Sequence, residues 1–403
     1  MKVLLVGSGG REHALAWKLS QAPHLSELHA APGNPGISTL GRCHPVRADD
    51  GEGLLGLATA LEADLVVVGP EAPLVAGVAD ELRHAGVPVF GPSAGAARIE
   101  GSKSFAKEVM RAAGVPTAGP ISVARPPCVV KADGLAAGKG VFICRDQDEL
   151  DAALRAATAF SEAIVIEELL EGEELSVFAL CDGARALPLP AVQDFKRAEE
   201  GDRGPNTGGM GSYSPVAGFD ATEVESLVDA IHRPVLEELA ARGTPFIGVL
   251  FAGLMVTAGG PRVLEFNCRF GDPETQSLLP RLRGDLLGAL AAAAAGDLGD
   301  ADLPVDDAGA VTVVLAGDGY PERSDVGRAI TGLEAAEAVG AHVFHAGTAL
   351  KGNQLVTNGG RILNVTATGG TVADARERVY AACELISFPG MRYRNDIAAM
   401  THV

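Results

Sequence analysis

Through the first hundred residues, short apolar runs alternate with helical stretches, and each run ends in a loop rich in glycine and proline. The runs are Val3–Val6, Leu65–Val68 and Val87–Phe90, with a weaker one near Leu28–Ala30. Strand, loop and helix in this alternation predict a doubly wound parallel α/β sheet. The loops are Gly7-Ser8-Gly9-Gly10, Pro32-Gly33-Asn34-Pro35-Gly36, Gly69-Pro70-Glu71-Ala72-Pro73 and Gly91-Pro92-Ser93. Open α/β sheets hold ligands beyond the carboxyl ends of their strands, so loops gathered on one edge predict a composite small-molecule site.

That site is not expected to take a dinucleotide. After Gly7 and Gly9 the third fingerprint position is Glu12, and no acidic residue closes a second strand about 20 residues later. A phosphate at the helix N-terminus near Arg11 is the expectation instead, because Gly9 and Gly10 would expose backbone N–H groups there.

A chain of 403 residues suggests two to four domains. Its formal net charge of −19 argues against general nucleic-acid binding, which wants a basic footprint. The cations must then be concentrated locally, and Lys103, Lys131, Lys139, Lys196, Arg197, Arg203 and Arg269 do fall in or beside Gly-rich motifs. A basic cleft in an acidic exterior follows. No apolar run approaches the ~18 residues of a membrane helix. The N-terminus enters a strand directly, and the six cysteines are isolated without any CxxC pair. Those features argue against export, zinc and a disulfide framework, and they predict a cytoplasmic protein.

Three units are expected, at residues 1–100, 101–308 and 309–403. Within the second, a flap over 117–184 has its own pattern: strands Cys128–Ala132, Val141–Cys144, Ile164–Glu168 and Leu175–Leu180, and a helix over Asp148–Thr158. Pro120, Pro126 and Pro127 suit its boundary. The third unit reads as a small α+β domain, with strands Val311–Ala316, His342–Phe344 and Ile362–Thr366 and a helix starting at Thr371.

The chemistry concentrates in Val263-Leu264-Glu265-Phe266-Asn267-Cys268-Arg269-Phe270-Gly271-Asp272-Pro273-Glu274-Thr275. Two positions apart on a strand, Glu265 and Asn267 share a face, and a carboxylate beside an amide oxygen suits Mg²⁺ that also holds nucleotide phosphates. Arg269 follows on the same parity and offers a fork for phosphate or carboxylate. The competing reading is a solvated strand face. Lys131-Ala132-Asp133-Gly134-Leu135-Ala136-Ala137-Gly138-Lys139-Gly140 lies between two strands and lacks Walker A spacing. A hairpin whose glycines lay amides over phosphates would serve the same physics, with Lys131 and Lys139 neutralising charge; an exposed mobile hairpin is the alternative. The strand Ile164–Glu168 and its acidic turn through Glu174 could give an adenine its backbone hydrogen bonds and a ribose a carboxylate, although solvated acidic loops are commoner. Gly204-Pro205-Asn206-Thr207-Gly208-Gly209-Met210-Gly211 marks a second mobile or closely approached backbone. His342 and His345 point to opposite faces of a strand and read as structural, and Cys268 reads as packing.

Taken in order, these segments resemble the phosphoribosylamine–glycine ligase (glycinamide ribonucleotide synthetase) family of ATP-grasp enzymes of purine synthesis. The likeness spans nearly the whole chain. It also includes Gly9-Gly10-Arg11-Glu12-His13-Ala14, Glu100-Gly101-Ser102-Lys103, His345-Ala346-Gly347-Thr348 and Val356-Thr357-Asn358-Gly359-Gly360-Arg361. The resemblance implies ATP between the flap and the central domain. Lys103, Lys131, Gly134, Gly138, Lys139 and Lys196 would serve its phosphates, Glu167 and Leu170 the adenine, and Glu174 the ribose. Glu265 and Asn267 would hold Mg²⁺ or Mn²⁺. Gly9, Gly10, Asn34, Gly69, Glu71 and Asp272 would take 5-phosphoribosylamine, whose amine would meet glycine near the catalytic Asp194 and Arg269. Small-molecule substrates, no nucleic acid, no membrane, and a monomer or weak homodimer complete the expectation. Thr117–Cys128 and Phe160-Ser161-Glu162 are shorter than the family pattern, which trims the flap, and Phe251–Met255 lacks the acidic metal ligand of many ATP-grasp relatives. The rivals are a bicarbonate-dependent ATP-grasp carboxylase, suggested by the C-terminal block, and a non-catalytic nucleotide-sensing module.

Overall fold

The computed structural model describes residues 1–136 and 139–399. Gly138, expected at the phosphates, lies outside the described residues. The N-terminal sheet is wholly parallel and ordered Arg42–Cys43, Glu27–Pro32, Lys2–Gly7, Leu65–Val68, Val89–Phe90. The first strand is central and the chain winds outward on both sides, which makes the sheet doubly wound, as expected. Its alternate residues serve opposite faces: Leu4 and Val6 join one core, while Val3 and Leu5 join another. Arg42–Cys43 escapes sequence reading because a strand of two residues has no period to show. Phe270 and Leu286–Ala293 pack onto the second of these cores, which also takes Phe178 and Leu180 from the central sheet.

The flap sheet is antiparallel, ordered Val141–Cys144, Cys128–Ala132, Ile164–Glu168. The helix Gln147–Ala157 closes its small core of Cys128, Val130, Cys144, Leu150 and Ala153. Asp146 starts that helix by accepting the Glu149 N–H at 2.9 Å, one of the donors a helix leaves open at its first turn. No helix lies between Thr117 and Cys128 among the described residues; the trimmed segment instead meets the edge strand Gly260–Asn267, where Thr117 pairs with Val263. The strand at Leu175–Leu180, expected inside the flap, corrects that boundary. It runs Glu173–Asp182 and lies in the main sheet between Ala186–Asp194 and Ile247–Thr257. Its residues alternate between two buried cores, with Leu175 and Val177 on one face and Phe178 and Leu180 on the other, which only an interior strand can do.

That main sheet has eight antiparallel strands: Gly260–Asn267, Ile247–Thr257, Glu173–Asp182, Ala186–Asp194, Gly211–Ser214, Gly309–Ala316, Arg361–Gly369 and His342–His345. The C-terminal strands therefore continue the central sheet through Gly211–Ser214. A separate ribbon joins Asp325–Ala329, Gln354–Gly359 and Thr348–Lys351. The last helix, Val372–Cys383, begins at Thr371, whose hydroxyl accepts the Asp374 N–H while Asp374 accepts the Thr371 N–H.

Candidate functional site

Glu265 and Asn267 stand at the end of the edge strand of the main sheet, opposite Gly253 and Phe251. A bulge at Leu264 precedes them, and the buried Phe266 between them points to the core, so the two polar side chains share the other face. Burial opposes ionisation of Glu265, but Lys196, Lys131, Lys103 and Arg269 outweigh it and hold the carboxyl below its ordinary range. An ionised carboxylate beside an amide oxygen fits a hard cation. Among the described residues no group of three or more His, Cys, Asp or Glu could hold a metal ion. A cation here would draw the rest of its shell from phosphate oxygens and water.

Of the expected phosphate lysines, Lys103, Lys131 and Lys196 face Glu265. Lys131 Nζ lies 2.8 Å from Glu167 Oε2 and 2.9 Å from the Leu264 carbonyl. Lys103 donates to the Gly134 carbonyl at 2.9 Å. Asp133 accepts the Lys103 N–H at 2.5 Å and a bond from the Ser104 hydroxyl, fastening the flap to the start of the helix Lys103–Ala112. Lys139 reaches the Pro321 carbonyl of the C-terminal unit at 3.0 Å. Lys196 sits 2.7 Å from Glu174 and 4.0 Å from Asp194. The Glu167 carboxylate is buried between Lys131 and Lys107, the latter at 3.0 Å, so any contact with adenine falls to its backbone. Lys107 has no sequence signal, since it belongs to an ordinary amphipathic helix. Leu170 is half-buried in the turn after the flap sheet.

Burial raises the Asp194 carboxyl, as do Glu174 and Glu265, while Lys196 opposes them. Burial also pushes Glu274 up to about 7, with Asp194 adding to the rise and Arg269 and Lys196 countering it. Glu274 was visible within the central motif, but nothing in its spacing foretold this environment.

In the acceptor loops, Gly9 donates its N–H to Glu12 Oε2 at 2.6 Å, so one of the donors expected at the helix start is taken by a carboxylate of the same helix. The glycines leave room for Glu12: a Cβ on Gly69 would stand 2.1 Å from its Oε1. Arg11 Nε pairs with the same carboxylate at 2.5 Å. Gly10 backs onto Asn364. Asn34 spends its side chain on the protein, donating to the Ser8 and His345 carbonyls at 2.9 and 2.8 Å and accepting the Ile37 N–H at 2.9 Å. It therefore joins loops of the first and last units.

Arg269 is the bridge between strand and loops. It lies 3.1 Å from Glu71 and 3.2 Å from Glu100, and these carboxylates outweigh burial to keep it charged. Arg269, with Arg11, holds Glu71 down to about 2 against the effect of burial. Much of the expected anion clamp is thus already taken by protein carboxylates. Asp272 pairs with Arg361 at 3.2 Å, accepts from Gln276 at 2.8 Å, and lies 3.4 Å from where a Gly9 Cβ would stand. Gly9, Gly69, Glu71, Arg269 and Asp272 therefore meet at one junction, beside the cations around Glu265. Glu100 and Arg361 were present in recognisable motifs, yet only the fold shows that they close this junction.

This order of parts has a counterpart. Residues 1–100 match the model described as "Phosphoribosylglycinamide synthetase, N domain", residues 101–275 its ATP-grasp (A) domain, and residues 310–400 its C domain. The chain belongs to the phosphoribosylglycinamide synthetase family. A phosphoribosylamine–glycine ligase of Streptomyces coelicolor is 51% identical over 415 residues, covering 99% of each chain. The crystal structure of the Thermotoga maritima phosphoribosylamine–glycine ligase superposes with a TM-score of 0.85 at 35% identity, over 99% of this chain and 100% of that one. A biotin carboxylase domain of Hydrogenobacter thermophilus 2-oxoglutarate carboxylase shares the fold alone, with a TM-score of 0.71 at 18% identity over 97% and 91% of the chains.

Proposed function

We infer that the chain is an ATP-dependent carbon–nitrogen ligase that joins glycine to 5-phosphoribosylamine, giving glycinamide ribonucleotide, ADP and phosphate in purine synthesis. The observation that carries this reading is the junction at Arg269, where the edge-strand motif meets the N-terminal loops. It is supported by full-length likeness to ligases of that name.

The glycine carboxylate attacks the γ-phosphoryl of ATP, and the phosphoribosylamine nitrogen then displaces phosphate from glycyl phosphate. Lys103, Lys131, Lys139 and Lys196 would take the phosphates, Glu167 and Leu170 the adenine, and Glu174 the ribose. Glu265 and Asn267 would hold Mg²⁺ or Mn²⁺, which neutralises charge on the transferred group when bound. Gly9, Gly69, Glu71 and Asp272 would face phosphoribosylamine, with Asp194 and Arg269 where the substrates meet. Gly10 and Asn34 would shape that pocket from behind. Glycyl phosphate hydrolyses readily, so loops that exclude water have a plain use.

No helix among the described residues is long and apolar enough to cross a membrane. We further infer a cytoplasmic protein, monomeric or weakly dimeric, with domains near 1–100, 101–308 and 309–403. The test is release of ADP and phosphate from Mg·ATP, with phosphoribosylamine formed in the tube from ribose 5-phosphate and ammonia. Release that needs both glycine and that mixture is expected. Release with bicarbonate in its place would move the chain to the carboxylase branch.

A further inference from the structure

The proposed substrate and metal contacts lie in the first two units, yet two side chains of the last unit hold a loop that runs into the site. Gly208, within the Gly204–Gly211 loop, donates its N–H to Tyr320 Oη at 2.8 Å, and its carbonyl accepts from Arg361. Arg361 also donates to the Asp272 carbonyl at 2.7 Å and pairs with its carboxylate. Both polar groups at Gly208 are thus fixed from outside the central unit. The glycines are explained by the same contacts. A Cβ on Gly208 would lie 3.1 Å from Arg361 Cζ, and one on Gly209, at φ +107°, would lie 2.4 Å from Pro273 Cδ. The Tyr320 ring lies over Gly360, where a Cβ would stand 2.5 Å from Tyr320 Cδ2.

The bonds continue inward. Thr207 places both its N–H and its hydroxyl on the Lys196 carbonyl, each at 2.8 Å. The neighbouring Met210 N–H is given to the Phe195 carbonyl at 2.7 Å. Lys196 in turn carries the ammonium that touches Glu174 and faces Asp194 and Glu265. Hydrogen bonds thus tie Tyr320 to Gly208, and Thr207, the residue before it in the chain, to the Lys196 carbonyl.

We propose that Tyr320 is a positioning residue for nucleotide binding: it clamps the Gly204–Gly211 loop so that Lys196 is held among Glu174, Asp194 and Glu265. The proposal rests on the reading of Lys196 as a nucleotide contact. Losing one neutral hydrogen bond of about 0.5–1.5 kcal/mol corresponds to roughly 2- to 12-fold in affinity. Calorimetric titration of the full chain with Mg·ADP reads this without turnover, so its result is separable from the identity of the acceptor. Tyr320→Phe keeps the ring and removes the hydroxyl. It should weaken Mg·ADP several-fold while the melting temperature stays within about 3 °C of the parent. Thr207→Ala, at the other end of the clamp, should weaken Mg·ADP to a similar degree, and the double variant should be weaker than the parent by less than the product of the two effects. Unchanged Mg·ADP affinity in Tyr320→Phe would overturn the proposal, as would fully multiplicative effects in the double variant. A residue that only supports the fold would lower the melting temperature and leave the affinity of the folded protein where it was.

Discussion

At the scale of single residues, the motif reading and the structure meet most closely at Glu265. Its face was legible because a strand has a period of two, and the bulge at Leu264 lies before it and so leaves that parity intact. What no spacing could show is the ring of cations that keeps it ionised. Glu265→Ala should reduce turnover by about two orders of magnitude or more, comparable to removing a principal electrostatic group from a transition state. The fold should survive, because the edge position places the side chain outside the apolar cores; circular dichroism and steady-state assays check both halves. Near-normal turnover in the folded variant would refute the metal assignment.

Glu274 offers a prediction with a definite sign. Its carboxyl is raised from 4.5 to about 7 by burial, then by Asp194, so the folded protein favours the protonated form. Its contribution is fully present below the unfolded value and is lost as pH rises toward and through 7. Glu274→Gln keeps the neutral shape at every pH. The variant should therefore gain melting temperature relative to the parent on going from pH 5 to pH 8. A difference that stays flat or shrinks over that range would show that Lys196 and Arg269 dominate its surroundings instead.

At the scale of elements, the flap was readable almost strand by strand, since its sheet and helix each carry an unambiguous period. Its far boundary was not, because Glu173–Asp182 is as apolar as a flap strand and differs only in what covers its two faces. The root of the flap is held by Asp133, whose carboxylate takes donors from Lys103, Ser102 and Ser104. Burial works against its charge, but these bonds prevail and keep its carboxyl low. Removing it takes a carboxylate from the first-turn N–H groups of Lys103 and Ser104 while the Ser102 cap on Phe105 remains, a loss of about 0.3–1 kcal/mol confined to the hinge. Asp133→Ala should accordingly be cut faster by protease within the flap while the main sheet resists. Mg·ADP should slow that cleavage if the flap closes on nucleotide. Equal cleavage rates in variant and parent would show that the flap is anchored elsewhere.

At the scale of the whole molecule, sequence patterns divide the chain into successive units, and that division hides how the units are joined. Gly211–Ser214 is only four residues long, too short to announce itself, yet it pairs with Ala186–Asp194 on one side and Gly309–Ala316 on the other. Met210, immediately before it, is fully buried in the core of the C-terminal unit. The third unit is therefore an extension of the central sheet and not an appendage. A chain ending at Ala308 would leave Gly211–Ser214 as an unpaired edge and expose Met210. An unpaired edge beside exposed apolar surface is a template for association. The truncated chain should elute as aggregate in size-exclusion chromatography, whereas the full chain should melt in a transition that spectroscopic probes of different units report together. A monomeric truncated chain with the parent's melting temperature would mean that the sheet divides at Ser214. The ties from Tyr320 and Arg361 to Gly208, and from the Pro321 carbonyl to Lys139, would then be links by which the C-terminal unit reaches the nucleotide, and the Mg·ADP affinity of that truncated chain would measure their combined worth.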